Sequence, residues 1–240
     1  MIILYTDYSL QGPYIGQVEA ILYQLSPKEK VIRLFADLPR YNPKASAYLL
    51  AACATAFPEG SIFFAVVDPG VGSFSDKPVV LKVDNRWYVG PDNGLFDLLV
   101  RQSDICECWK INWRPEKLSS SFHGRDLYAP VCAMIANGID IPGEKIQWND
   151  QHDWPDDLAE VIYIDAFGNC ITGIRSFNVD TATVLNVSGK KILHARTFSA
   201  ADKNPFWYEN SSGLIEVAVN QGSAAYNLGL AIGSVVNMET

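Results

Sequence analysis

The chain changes texture near residue 138, and that change constrains its fold more than any other feature. Before it, strand-length apolar runs alternate with helix-spaced segments. "MIILYTD" reads as a first strand ending at Asp7, and Pro13 suits the first turn of a helix running to about Leu25. "KVIRLFADL" is a second strand, "NPKASAYLLAACATAF" a helix and "SIFFAVVD" a third strand. "PVVLKVDNRWYVGPDNG" reads as a hairpin turning at Asp84-Asn85. A helix in "GLFDLLVRQ", a strand near "ICECWKIN" and a helix in "RDLYAPVCAMIANG" complete this half. Such alternation predicts an α/β N-terminal domain with a mostly parallel sheet. After it, "GIDIPGEKIQWNDQHDWPDDLAE" is polar and reads as a linker. The rest is short alternating runs, "EVIYID", "NCITGI", "TATVLNVSG", "KKILHART", "GLIEVAVN" and "SVVNM". That spacing predicts a small all-β barrel as C-terminal domain, giving domains at 1–150 and 151–240.

With 240 residues, 48% of them hydrophobic, both domains can bury a core. No apolar run is long enough to span a bilayer, which excludes a membrane role. The first residues carry no basic stretch and no cleavage pattern, so a cytoplasmic protein is expected. The cysteines, Cys53, Cys106, Cys108, Cys132 and Cys170, are odd in number and do not form a disulfide framework. Cys106 and Cys108 alternate like strand residues and lack a second Cys/His pair, so no metal site is expected. A formal net charge of −8 argues against nucleic acid as a partner.

In open α/β sheets, ligands bind beyond the carboxyl ends of the strands. Asp7 and Asp68 both stand at such ends, and "VVDPGVGS" hands Asp68 to a glycine-rich turn. Each has a plainer reading as a turn or cap residue. His123, in "SSSFHGRDLYAP", lies in a loop just before a helix, and a capping role is its plainer reading. His152 falls in the polar linker and is expected to be solvated; His194, in "KKILHAR", is expected at the surface or in barrel packing. "VGPDNGLF", with Asn93, reads as a turn and helix cap whose amides could also face a ligand. "YIDAFGNCITGI" is an ordinary hairpin by pattern, and "NSSGLIEVAVNQGSAA" offers hydroxyls and turn amides that suit a carboxylate. No spacing matches a P-loop, a nucleophile elbow or a zinc triad.

Taken together, "TDYSLQGPYIG", "DLPRYNPKASAYLL", "VVDPGVGS", "VGPDNGLF", "SFHGRDLYAP", "IDAFGNCIT" and "NSSGLIEVAVNQGSAA" resemble one family over nearly the whole chain. It is the S-adenosylmethionine (SAM) hydroxide adenosyltransferases, or SAM hydrolases, relatives of the SAM-dependent fluorinase and chlorinase. The resemblance implies an N-terminal α/β domain, a C-terminal β-barrel, and a homotrimer binding SAM between the N-terminal domain of one subunit and the C-terminal domain of its neighbour. It implies that SAM is the substrate and that no cofactor is used. Asp68 and His123 match two members of the family's catalytic Asp–Arg–His set. Asp7 matches the acid on the ribose hydroxyls, with Tyr8, Asn93 and Phe122 in the same substrate-facing motifs. Gly124 matches a position that is Gly in the hydroxide and chloride enzymes and Ser in the fluorinase. Asp165, Phe167 and Asn169 match residues around the adenosine and the amino-acid part of SAM. Ser211 and Ser212 fall where the methionine carboxylate and amino group are held, and Asn220 and Gln221 at the turn that meets the adenine.

Two positions depart from the family pattern: Ser9 stands where Gly is usual, and Ser75 stands where the arginine is usual. Lys77 is close enough in sequence to Ser75 to supply a charge in its place; its plainer reading is a solvated loop lysine. The implied reaction is attack of a water-derived oxygen on C5′ of SAM. Two alternatives stand beside it: a SAM- or adenosine-binding protein with weak or no catalysis because of Ser75, and transfer of a halide to C5′. An arginine would orient the Asp and hold a hydroxide-like oxygen. A Ser75→Arg variant is therefore expected to hydrolyse SAM faster than the wild type, read as adenosine released per minute. Unchanged or slower turnover counts against that reading.

Overall fold

The computed structural model describes residues 1–73, 77–150 and 152–239. It divides into two units, Met1–Ala51 with Phe57–His152, and Ala52–Ala56 with Asp153–Thr240.

The first unit is built on β1 (Ile2–Thr6) and β3 (Ile62–Val66), both buried at every position. A strand covered on both faces reads as a continuous apolar run, and these two do. They pair parallel in register, Ile2 opposite Ile62 through Thr6 opposite Val66. The other strands are β2 (Val31–Phe35), β4 (Pro78–Val83), β5 (Arg86–Pro91), β6 (Cys106–Ile111) and β7 (Gly143–Ile146), in the order β2-β1-β3-β5-β4-β6-β7. The pairs β1–β2, β1–β3 and β3–β5 are parallel, whereas β5–β4, β4–β6 and β6–β7 are antiparallel. The sheet is therefore mixed, which corrects the expectation of a mostly parallel one. The cause is the Asp84-Asn85 hairpin: both residues take positive φ, 44° and 62°, the two-residue turn whose twist matches paired antiparallel strands. β7 lies inside the stretch read as a linker. Its four residues are all exposed, so no apolar signal marks it, and pairing with β6 is what makes it a strand.

Helices α1 (Tyr14–Leu25), α2 (Pro43–Ala54), α3 (Asp97–Arg101) and α4 (Ala129–Ala136) fall in the segments read as helical. Ile15, Val18 and Leu22 of α1 share a core cluster with Leu4 and Phe64, and with Val131 and Cys132 of α4. A π-helical turn, Gly124–Tyr128, leads into α4. Pro130 explains it: proline lacks the amide an α-helix needs there and clashes with the carbonyl four residues back, and a wider turn relieves both.

The second unit holds β8 (Leu158–Ile164), β9 (Cys170–Arg175), β10 (Val184–Val187), β11 (Lys190–His194), β12 (Pro205–Glu209), β13 (Leu214–Val219) and β14 (Val236–Glu239), with α5 (Ala224–Leu228). Their order is β14-β10-β11-β12-β13-β9-β8, and a bridge from Glu160 to Val235 links the two outer strands, so the sheet is nearly closed and barrel-like. β12, "PFWYE", was not read from the sequence; its buried Trp207 donates its indole N–H to the Thr183 carbonyl at 3.0 Å. Among the described residues, no helix is long and apolar enough to cross a membrane.

Close approach of β5 to β3 rests on Gly90, where a Cβ would stand 2.0 Å from the Ala65 carbonyl oxygen. Gly90→Ala must part the two strands, and overpacking of this kind costs about 1–3 kcal/mol. The expected readout is a lower urea midpoint with an unchanged slope. An unmoved midpoint would show that the strands have room to spare.

Candidate active site

Parallel pairing of β1 with β3 sets Asp7 and Asp68 at neighbouring strand ends. Together with Tyr8, Phe122, His123 and Gly124 they line one cleft of about 670 Å³ in the first unit. Asp7 accepts a hydrogen bond from the Tyr41 amide at 3.0 Å. Burial nonetheless lifts its carboxyl above the ordinary range, against the lowering effect of that bond and of the Arg40 charge.

The loop that carries Asp68 is held by contacts along its length. Its Oδ1 accepts from the Gly70 amide at 3.0 Å. Asn93 donates its side-chain amide to the Val67 carbonyl at 2.9 Å, pinning the backbone just before it. Gly72, at φ 74°, packs so closely on the other site loop that a Cβ there would stand 2.0 Å from the Ser120 carbonyl oxygen. The glycine in "DPGVGS" thus lets the Asp68 loop touch the loop that carries His123. Asn93 itself is not among the cleft-lining residues; its position supports the strand end.

His123 is 6% exposed and immediately precedes the π-helical turn. Its neighbour Arg125 donates to Asp126 at 2.6 and 2.9 Å and to Gln17 at 2.9 Å. That pairing holds the Asp126 carboxyl below its usual range, and Asp126 in turn accepts from the Ser119 amide. The Arg125 charge is spent on ordering its own loop. Lys77 acts on Asp92, whose carboxyl burial raises and Lys77 lowers. Ser75 lies outside the described residues. Ser9 adopts φ 65°, a left-handed conformation that costs a residue with a Cβ about 1–2 kcal/mol, and its Oγ accepts from the Gln11 amide. Glycine takes this conformation without that cost.

Tyr8 is clamped by the ring edges of Tyr14, Phe64 and Phe122, at 5.3 to 6.4 Å between centroids within this cluster. Tyr14, Arg40 and Tyr41 also line the cleft and were not singled out from the sequence. All three stand inside quoted motifs, Tyr14 in "TDYSLQGPYIG" and Arg40 and Tyr41 in "DLPRYNPKASAYLL", without being named there as site residues.

In the second unit, Asp165 organises a turn. Its Oδ1 accepts from the Phe167 and Asn169 amides, both at 2.9 Å, and its Oδ2 from the Asn169 side chain at 3.0 Å. Gly168, at φ 82°, lets this turn lie against Ser223, which caps α5 by accepting from the Tyr226 amide. Phe167 is left 79% exposed. Phe167, Asn169 and Gln221 line one recess, and Ser211 lines a second with Arg196 and Glu209. Asn210 holds the Ser211–Ser212 turn by accepting from the Ser212 amide at 2.9 Å. Asn220 follows β13 and lines neither recess.

His152 is not solvated as expected: its Nδ1 lies 2.7 Å from buried Asp97 Oδ2. Burial pushes Asp97 up to about 6. Arg101 donates to the neighbouring Asp150 at 2.5 Å, so this cluster is internally paired. His194 packs against Trp207, 4.7 Å between ring centroids, which fits the barrel-packing reading.

Residues 2–144 match the model of the SAM hydroxide adenosyltransferase N-terminal domain, and residues 159–237 that of the corresponding C-terminal domain. A protein of Thermus thermophilus named (R)-S-adenosyl-L-methionine hydrolase is 34% identical, over 97% of each chain. A protein of the same name from Methanocaldococcus jannaschii is 37% identical, over 91% of this chain and 88% of its own. Among solved structures, an uncharacterized conserved protein from Thermotoga maritima superposes with a TM-score of 0.90 at 27% identity, covering all of both chains.

Ionised Asp7 opposes folding, because its carboxyl binds a proton more tightly in the folded chain than in the unfolded one. The penalty is absent below the ordinary value of 3.8 and complete above the raised folded value. Asp7→Asn is therefore expected to raise the melting temperature of the ligand-free protein at pH 7, with the gain shrinking as pH falls toward 3.8 and gone below it. A lower melting temperature at pH 7 would refute the assignment of burial as the dominant effect.

Proposed function

The chain belongs to the SAM hydroxide adenosyltransferase family, and from that premise we propose how its residues hydrolyse SAM to adenosine and methionine. One observation carries the assignment of roles: Asp7, Asp68 and His123 converge on one cleft at the ends of paired parallel strands.

The departing group is a neutral thioether leaving a sulfonium. It needs no proton, so the demands fall on the nucleophile: hold a water in line with the C5′–S bond and take its proton. Asp68 accepts that proton, and His123 holds the water or relays the proton onward. The C5′–O bond forms as the C5′–S bond breaks, and the electron pair stays on sulfur. Asp7 accepts the ribose hydroxyls, a good match for a fixed carboxylate. Water and SAM balance the reaction, so no cofactor is required. Asp7 and Asp68 also favour a cationic sulfonium in the cleft and disfavour a halide, which speaks against halide transfer.

In the second unit, Asp165 sets the turn from which Phe167 and Asn169 meet the adenosine. Ser211 and Ser212 hold the amino-acid end, and Asn220 and Gln221 meet the adenine. A homotrimer with shared sites belongs to the same proposal, as does a cytoplasmic setting, which the five free cysteines support.

The test is incubation with SAM in chloride-free buffer and chromatographic separation of the products. Adenosine and methionine are expected in equal amounts, with Asp68→Ala reducing their formation at least about 10²-fold, the scale of a lost transition-state contact. Tight SAM binding by calorimetry without products would favour the non-catalytic binding protein instead.

A further inference from the structure

The cleft described above holds a polar group that the reaction, as assigned so far, does not use. A Cβ on Gly124 would stand 2.1 Å from the Tyr8 hydroxyl oxygen and 3.0 Å from its Cζ, so the phenol lies over the Gly124 backbone, next to His123. The ring cannot drift from there, since Tyr14, Phe64 and Phe122 surround it edge to face. Among the described residues, none accepts a hydrogen bond from this hydroxyl. Tyr8 lines the same cleft as Asp7, Asp68 and His123.

We propose that Tyr8 is a further catalytic residue, whose hydroxyl donates a hydrogen bond to the oxygen that attacks C5′. The inference rests on the SAM-hydrolysis reading of the same cleft. It adds to that reading a hydroxyl donor whose position is fixed by the rings packed around it. Asp68 is an acceptor and can only take a proton; a second acceptor would not orient the water's lone pairs. A water that gives one proton to Asp68 and accepts from Tyr8 has its remaining lone pair directed by both contacts. The donor also favours the negative charge that grows on the oxygen as its proton leaves.

A neutral donor suits this place. Burial first, then the charges of Asp7 and Asp68, push the phenol far above its usual range, so Tyr8 keeps its proton at any working pH. The balance is complete: one water proton passes to Asp68 and then to solvent, C5′–O forms, C5′–S breaks with its pair going to sulfur, and Tyr8 ends as it began. Gly124 has a defined part in this arrangement, because any side chain there would displace the hydroxyl.

The experiment compares wild type, Tyr8→Phe, Gly124→Ala and the double variant by SAM turnover and by calorimetric SAM affinity. Tyr8→Phe keeps the ring packing and removes only the donor. It is expected to lower kcat about 10²-fold while leaving Kd within about threefold. Gly124→Ala should lower kcat by a similar factor, and the double variant should be no slower than the worse single, because both act on one hydroxyl. A Tyr8→Phe enzyme with kcat within twofold of wild type overturns the proposal. So does a loss seen only in Kd, which would place the hydroxyl on the nucleoside instead. Failure of the underlying reading looks different: the wild type itself would release no adenosine, or Asp68→Ala would release as much as the wild type.

Discussion

Two carboxylates held at the ends of adjacent parallel strands are the constraint around which the first unit is arranged. The β1–β3 register places Asp7 and Asp68 on one rim, in a partly dry setting where like charges repel strongly. The surroundings answer that cost with local acceptors' partners: the Tyr41 amide for Asp7, the Gly70 amide for Asp68, and the nearby charge of Arg40. Directly beside these two carboxylates a positive sulfonium is favoured over a halide.

The loops at this rim are fixed by backbone contacts more than by side chains. Gly72 against the Ser120 carbonyl, Asn93 on the Val67 carbonyl and the proline-forced π-helical turn after His123 each set a backbone path. Such contacts matter for catalysis because a displaced nucleophile loses the benefit of orientation steeply. Asp165 likewise uses both of its oxygens within its own turn, on the Phe167 and Asn169 amides and the Asn169 side chain.

Legibility in the sequence followed locality. The strand ends at Asp7 and Asp68, the Asp84-Asn85 turn and the helix after Pro13 are written in neighbouring residues, and each stands where it was read. β7 was hidden because an exposed edge strand has no apolar period, and His152 because its partner Asp97 is far away in the chain. The mixed sheet was half legible: the hairpin was visible, but its effect on sheet order depends on where β5 docks, which is a packing outcome. Asp68 and His123 stood out within their motifs, while Tyr14, Arg40 and Tyr41 sat inside quoted motifs with no local sign that tertiary contacts bring them to the cleft.

The proposed role of Tyr8 is a way of holding the attacking oxygen with a neutral donor. A guanidinium beside Asp68 would stabilise the carboxylate, lower its basicity and neutralise the field that draws in a sulfonium. A buried phenol instead offers one donor of fixed direction and leaves the net charge of the rim untouched. The sequence has Ser75 where the family pattern leads one to expect arginine, and a hydroxyl on the strand-end residue next to Asp7. Between those two ways of holding an attacking oxygen, the second trades charge stabilisation for orientation. Its demand on the fold is a residue without a side chain at position 124, and Gly124 meets it.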